Sequence, residues 1–197
     1  MTFPLPTNPV HVGVPDIYEA VGRFLYQYAV PAVSLNCIIK GFQNRIVLPK
    51  GTNEYIIMTM LNHTRHGTNV YEFDARTIPY DQDGAEITKE LVEVEVQCDF
   101  YSDSDNGRQR ATAIEMMACS PYAVRFFKKY GLSCLYADDV RDLTGVTDAD
   151  QFVYRHMVVL HLTYTAVITQ KLPWFDAVNV NLKNVDVKFP PTENSKE

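Results

Sequence analysis

Between residues 91 and 101 the chain alternates strictly: Val92, Val94, Val96, Cys98 and Phe100 fall on one side, and Glu93, Glu95, Gln97 and Asp99 on the other. Successive side chains of a strand point to opposite faces, so this period of two predicts a strand with one face in a core and one acidic face. A second long alternation fills residues 151–169. Phe152, Tyr154, His156, Val158, Leu160, Leu162 and Tyr164 share one face, with Arg155, His161, Thr163 and Thr165 on the other. His156 and His161 thus point to opposite sides, and a regular strand cannot bring them to one metal ion. In "YIIMTML", 55–61, both alternating sets are apolar, which predicts a strand covered on both faces in the middle of a sheet. "SLNCII" reads as a short strand. "AVNVNLKNVDVKF", 177–189, reads as a last strand whose apolar phase shifts near Lys183 and Asn184, as a bulge would make it do.

A period near 3.6 marks the helices. Ile17, Val21, Phe24 and Tyr28 line one face of a helix from Asp16 to Ala29, and Asp16 followed by Glu19 resembles a capping box. "RQRATAIEMMAC" predicts a second helix with Ile114, Met117 and Ala118 inward. Ser120 and Pro121 then start a third, closed by Lys128, Lys129 and Gly131, with Tyr122, Phe126 and Phe127 as core anchors. Residues 62–89 form a polar excursion with a strand around Asn69 to Asp74, which reads as a hairpin arm. Helices grouped on one face of a largely antiparallel or mixed sheet make an α+β fold, a two-layer sandwich. The expected organisation is an N-terminal arm, 1–15, a single domain over 16–189 and a polar C-terminal tail, 190–197.

Composition narrows the function more than the fold. A chain of 197 residues with 46% apolar content can bury one full core. A net charge of −6 argues against a protein that grips nucleic acid through a basic patch, although it leaves room for one that lines a passage for DNA. Cys37, Cys98, Cys119 and Cys134 have irregular spacings and no C-x-x-C pair, so reduced thiols are expected rather than a zinc site or disulfide framework. The opening "MTFPLPTNPVHVG" lacks the basic patch and apolar run of a signal peptide, and no segment reaches the length of a membrane span. A soluble chain made in a cytoplasm is expected.

The stretch that most looks like chemistry is "YSDSDNG", 101–107. A calcium loop needs oxygen ligands at positions one, three and five, glycine at six and glutamate at twelve. With Gly107 at six, position twelve is Ala113; with Asp103 at one, position five is Gly107 and twelve is Ile114. Both registers fail, and the stretch reads as a polar turn before a helix. Asp138 and Asp139 are sequence neighbours, which seldom face one site, and His63 with His66 lacks a third ligand. A metal-dependent hydrolase built from these four is the competing reading from another class. The chain carries no glycine-rich phosphate loop, no G-x-S-x-G and no H-E-x-x-H. No catalytic residue, no metal and no cofactor are expected.

The sequence resembles the bacteriophage neck terminator proteins, which are similar to tail terminators of long-tailed phages. The resemblance is carried by "NRIVLPKG" with "YIIMTML", by "GTNVYEFD", by "VEVQCDFYSDSD" running into "RQRATAI", by "SPYAVRFF", by "LYADDVRDL" and by "FDAVNVNLKNVDVKFPP", in that order. It covers about Asp16 to Pro191 and is weakest in the N-terminal arm and from Phe152 to Gln170. It implies a structural virion protein of the neck, without catalysis, made in the host bacterial cytoplasm. By resemblance its partners are copies of itself in a ring, commonly of six subunits, the tail tube protein and a head-completion or connector protein, with no membrane. Genomic DNA would pass through the ring without specific binding. Glu93, Glu95 and Asp99 then become candidates for the channel lining, since like charge keeps DNA off the wall. Arg65, Tyr71, Phe73, Arg76 and Tyr80 in the arm become candidates for subunit contact, being residue types favoured in interface cores. A head-closure or tail-tube protein of the same particle is the nearest alternative.

Overall fold

Asp16 caps the start of the first helix as the sequence predicts, while the Glu19 carboxylate accepts from Arg23 Nε at 3.0 Å. Asp16 Oδ1 accepts the N–H of Glu19 at 2.9 Å, and α1 runs Ile17–Tyr28 with Ile17, Ala20, Val21, Phe24 and Leu25 buried. The structure, a computed structural model, describes residues 11–42, 49, 53–74, 83–146 and 152–173. Its strands are β1 (His11–Gly13), β2 (Ile38–Lys40), β3 (Tyr55–Asp74), β4 (Asp83–Ser102), β5 (Leu132–Ala137), β6 (Arg141–Asp142), β7 (Gly145–Val146) and β8 (Phe152–Pro173). The other helices are α2 (Asn106–Ala118) and α3 (Pro121–Lys128). "SLNCII" splits into one 3-10 turn, Leu35–Cys37, followed by β2.

The fold is α+β, with a mixed sheet ordered β1-β8-β4-β3-β2. β3, β4 and β8 pair antiparallel, while β2 joins β3 in parallel. The outer edge of β8 is covered in steps by β7 at Phe152, β6 at His156, β5 from Leu160 to Tyr164 and β1 from Val167 to Thr169. The alternation of 91–101 appears as read: Val92, Val94, Val96, Cys98 and Phe100 join Val158, Leu160 and Leu162 in one core with the helices. Phe24 centres an aromatic group, 4.9 Å from Tyr28, 5.5 Å from Phe126 and 4.8 Å from Phe127 between ring centroids. We call this side of the sheet the helix face and the other the open face.

Gly107 explains the polar turn. A Cβ there would lie 3.2 Å from Ser102 Cβ and 3.3 Å from Phe100 O, so a glycine lets the first turn of α2 press against the end of β4. Ser102 Oγ accepts from the Ser104 N–H and Ser104 Oγ from the Asn106 N–H, which makes the turn a hydroxyl-braced helix start.

Three expectations change. "YIIMTML" is not in the middle of the sheet: among the described residues β3 lies next to the edge, with β2 beyond it at Ile56 to Met58. Ile56 and Met58 are buried on the helix face, while Tyr55 and Ile57 are half-buried on the open one; the central strands are β4 and β8. His63 and His66 belong to β3 rather than to a flexible turn. Tyr122 is 58% exposed, with the Arg125 guanidinium 5.0 Å from its ring centroid, because α3 is short and turns only Ala123, Phe126 and Phe127 inward. The strand expected at 177–189, residues 1–10 of the N-terminal arm and the tail 190–197 lie outside the described residues.

Candidate functional site

The acidic row of β4 lies on the open face, and each member has a partner from a neighbouring strand. Asp99 is 4% exposed; Arg155 of β8 donates to its Oδ1 at 3.1 Å from Nε and lies 3.0 Å away through Nη2. The same guanidinium is 5.7 Å from the Tyr101 ring centroid, and Tyr101 stacks on Tyr55 at 4.7 Å. Glu95 accepts from Asn62 Nδ2 at 3.0 Å. Glu93 bridges two histidines, with His66 Nε2 2.6 Å from Oε2 and His161 Nδ1 3.1 Å from Oε1. The other nitrogen of His161, Nε2, faces Asp138 Oδ1 at 3.2 Å, and Tyr136 stacks on the ring at 4.2 Å. With both ring nitrogens facing carboxylate oxygens, both bonds form when the imidazole carries two N–H groups.

This relay crosses β3, β4, β8 and the end of β5. The strictly alternating sequence shows the acids but not these partners, because cross-strand pairing depends on register. Glu95 opposite His161, and Tyr101 opposite Arg155, follow from the β4–β8 alignment alone.

The hydrogen bonds from His161 and then His66 hold the Glu93 carboxyl below its usual range. A depressed carboxylate contributes stability that is present above its unfolded value and lost as pH falls through the folded one. Glu93→Gln is therefore expected to cost about 1 kcal/mol at neutral pH, the net worth of a partly exposed charged hydrogen bond. The difference from the parent should close as the pH is lowered through the carboxylate range. Urea denaturation at several pH values checks this; a difference independent of pH contradicts it.

The four residues of the hydrolase reading do not converge. His63 turns to the helix face, its ring 6.2 Å from that of Tyr164, whereas His66 lies on the open face against Glu93. Asp138 is engaged by His161. Among the described residues no group of three or more His, Cys, Asp and Glu is placed to hold a metal ion.

The second surface is the arm. At about 3.4 Å per residue the 20 residues of β4 span roughly 65 Å, while the 13 residues of α2 span about 20 Å. The sheet outreaches its helical layer. On the helix face the buried run of β4 and β8 ends at Val92 and Tyr164. Beyond it stand Tyr71, 67% exposed, Phe73, 58%, and Ile168, 40%, with Val12 of β1 beside Ile168. The register places Arg65 opposite Val92, Tyr71 opposite Thr88 and Phe73 opposite Glu86, so all three share the helix face. Arg65 donates to Glu90 and, at 3.1 Å, to Asn69 Oδ1. Arg76 and Tyr80 lie outside the described residues.

Residues 16–191 match the family described as phage neck terminator protein. The chain belongs to the phage neck terminator family. The match takes in α1, the sheet from β2 to β8, both helices between them and the alternating segment that follows β8. No curated protein matches the chain. Family membership makes it a structural protein of the phage neck, hence of the virion, associated with other head and tail proteins. Among the described residues no helix is long and apolar enough to cross a membrane.

Proposed function

We propose that this neck terminator assembles with copies of itself into a ring, commonly of six, that ends the tail tube, joins it to the head-side connector and lets DNA pass through its middle. The observation that carries this reading is the arm of β3, β4 and β8, which leaves the helical layer behind and exposes Tyr71 and Ile168 on one face. Side chains of these types cost free energy in water and recover it against a neighbouring subunit. Arg65, Tyr71 and Phe73, with Arg76 and Tyr80 from the same excursion, make that contact.

The open face then turns to the passage. Glu93 and Glu95 present its negative side, and Asp99, buried under Arg155, serves that face by holding the arginine in place. Like charge keeps DNA from adhering. Replacing Glu93, Glu95 and Asp99 by lysine should slow or retain DNA in the channel, and normal ejection contradicts the assignment.

A phage carrying an early stop codon in this gene tests the role itself. Electron microscopy of the lysate should show filled heads beside unjoined or over-long tails. Complete, normally joined particles contradict the proposal. A particle arrested at another joint, such as an unsealed head with a tail of normal length, indicates a head-closure role.

A further inference from the structure

We propose that the outer side of α3 and β5 receives the arm of a second copy of this chain, so that each subunit reaches one neighbour with its arm and is reached by the other. This rests on the reading that copies assemble, and it names the surface on which the arm lands.

α3 buries one side and leaves an unusual other side in water. Ala123, Phe126 and Phe127 turn into the core, while Tyr122, Val124, Arg125, Lys128 and Lys129 stay exposed. Val124 and Arg125 line an open cavity of about 450 Å³ with Pro121, Cys119 and, from β5, Leu135. Val124 and Leu135 are both about half exposed. Aliphatic walls of this kind cost free energy in water and recover it under a lid of apolar atoms.

The rim of the patch is positive. Lys128 stands one turn after Val124, and Lys129 one turn after Arg125, so the charges flank the cavity. Arg125 makes its contacts within its own helix, its Nε donating to Pro121 O at 3.3 Å and its guanidinium lying against the Tyr122 ring. Among the described residues no carboxylate pairs with Arg125, Lys128 or Lys129, and none lines the cavity. Cations at this end suit the helix dipole, but that does not account for Tyr122, Val124 and Leu135 beside them. Tyrosine and arginine around an apolar pocket are what anchors an interface. The complement is an apolar ridge with negative charge.

The arm carries such a ridge. The register sets Tyr71, Thr88, Ile168 and Val12 in one row across β3, β4, β8 and β1, on the helix face. Tyr71, Ile168 and Val12 are exposed along it. Three strand spacings of about 4.8 Å make the row roughly 14 Å wide, close to the ~12 Å length of the eight-residue α3. The described charges of the arm on that face are Arg65, Glu86 and Glu90, and Arg65 is taken by Glu90. Glu86 is left to meet a cation.

The arm cannot land on its own α3. β4 and β8 keep one unbroken antiparallel register from Ser102 opposite Tyr154 to Asp83 opposite Pro173, so the arm runs straight on from the sheet beneath that helix. A second copy brings the two surfaces together. Because they are different surfaces the contact is heterologous, the kind that closes into a ring.

The test uses the full chain with Thr88→Cys, which keeps Tyr71 and Ile168, and the native Cys119, the exposed thiol beside the cavity. A short bismaleimide is added to the purified protein and to tails that carry the variant. The expected product is a ladder that passes dimer and trimer and ends at the closed ring, because every copy offers one thiol of each kind. Adding Cys119→Ser should abolish it. Lys128→Glu with Lys129→Glu should raise the concentration for half-assembly about tenfold, and Glu86→Lys should restore part of that loss. Products that stop at dimer and survive Cys119→Ser join arm to arm and overturn the proposal. Rings seen by native mass spectrometry that give no cross-link and ignore the lysine changes overturn it while leaving the ring intact. A chain that forms no ring, in solution or on tail ends, contradicts the assembly reading beneath it.

Discussion

Phe24→Ala is expected to lower the unfolding free energy by about 3–5 kcal/mol, the range for removing a buried phenylalanine and leaving a cavity. Phe24 has no exposed surface and touches the rings of Tyr28, Phe126 and Phe127, so it joins α1 to α3 above the sheet. Relaxation cannot easily refill the space, because its neighbours belong to two different helices, α1 and α3. Phe24→Leu, which keeps most of the volume, should cost about half as much or less. Urea denaturation of the full chain at one protein concentration reads both values, the fixed concentration guarding against a contribution from assembly. A loss below about 1 kcal/mol for the alanine variant would contradict the packing described, given the range above.

Arg110→Met is expected to cost about 2–4 kcal/mol, the range for breaking a buried charge cluster reduced for a partly solvated partner. Arg110 is 2% exposed, although in sequence it is one of several polar residues in the first turns of α2. Its Nε donates to Pro31 O at 2.7 Å, and its Nη2 donates to Glu54 Oε2 at 2.8 Å. Asn106 Nδ2 donates to the same carboxylate, at Oε1, from 2.7 Å. Three separated pieces of chain meet here: the segment after α1, the start of β3 and α2. Methionine fills the volume but leaves the carbonyl of Pro31 without this donor, which is where most of the cost arises.

Glu54 adds a pH signature to that result. The hydrogen bond from Arg110, and after it that from Asn106, holds the Glu54 carboxyl below its ordinary value. Stability from a depressed carboxylate is present above the unfolded value and disappears as pH falls through the folded one. The parent should therefore lose stability on acidification more steeply than Arg110→Met, and the two curves should approach each other at low pH. Curves that stay parallel would assign the cost to packing alone.

Legibility differed by kind of interaction. The helix start at Asp16, the core face of β4 and the opposite placement of His156 and His161 were readable because each rests on a local period or a cap within a few residues. The arm could be suspected from a long polar excursion, but its construction could not. β3 and β4 continue through 62–74 and 83–90 as paired strands, with β8 running alongside, and the polar residues there sit on strands beyond the helical layer, exposed through most of 62–73 and half-buried through 86–90, rather than in a loop. His66 illustrates the same limit: in sequence it pairs with His63, while in the fold it pairs with Glu93, 27 positions away. Arg110 carried no signal, since an arginine on a helix, here beside Arg108, reads as surface.

The sequence by itself determined the α+β class, the division of β4 into an apolar and an acidic face, the break between α2 and α3 and the family, because these depend on periodicity, capping and the order of motifs. Only the tertiary structure decided the place of β3 beside the edge, the hydrogen-bonding partners of Glu93 and Asp99, the burial of Arg110 and the shared face of Arg65, Tyr71 and Phe73. Those depend on strand order and register, which are set by how whole strands bury their apolar faces together and leave no local trace in the chain.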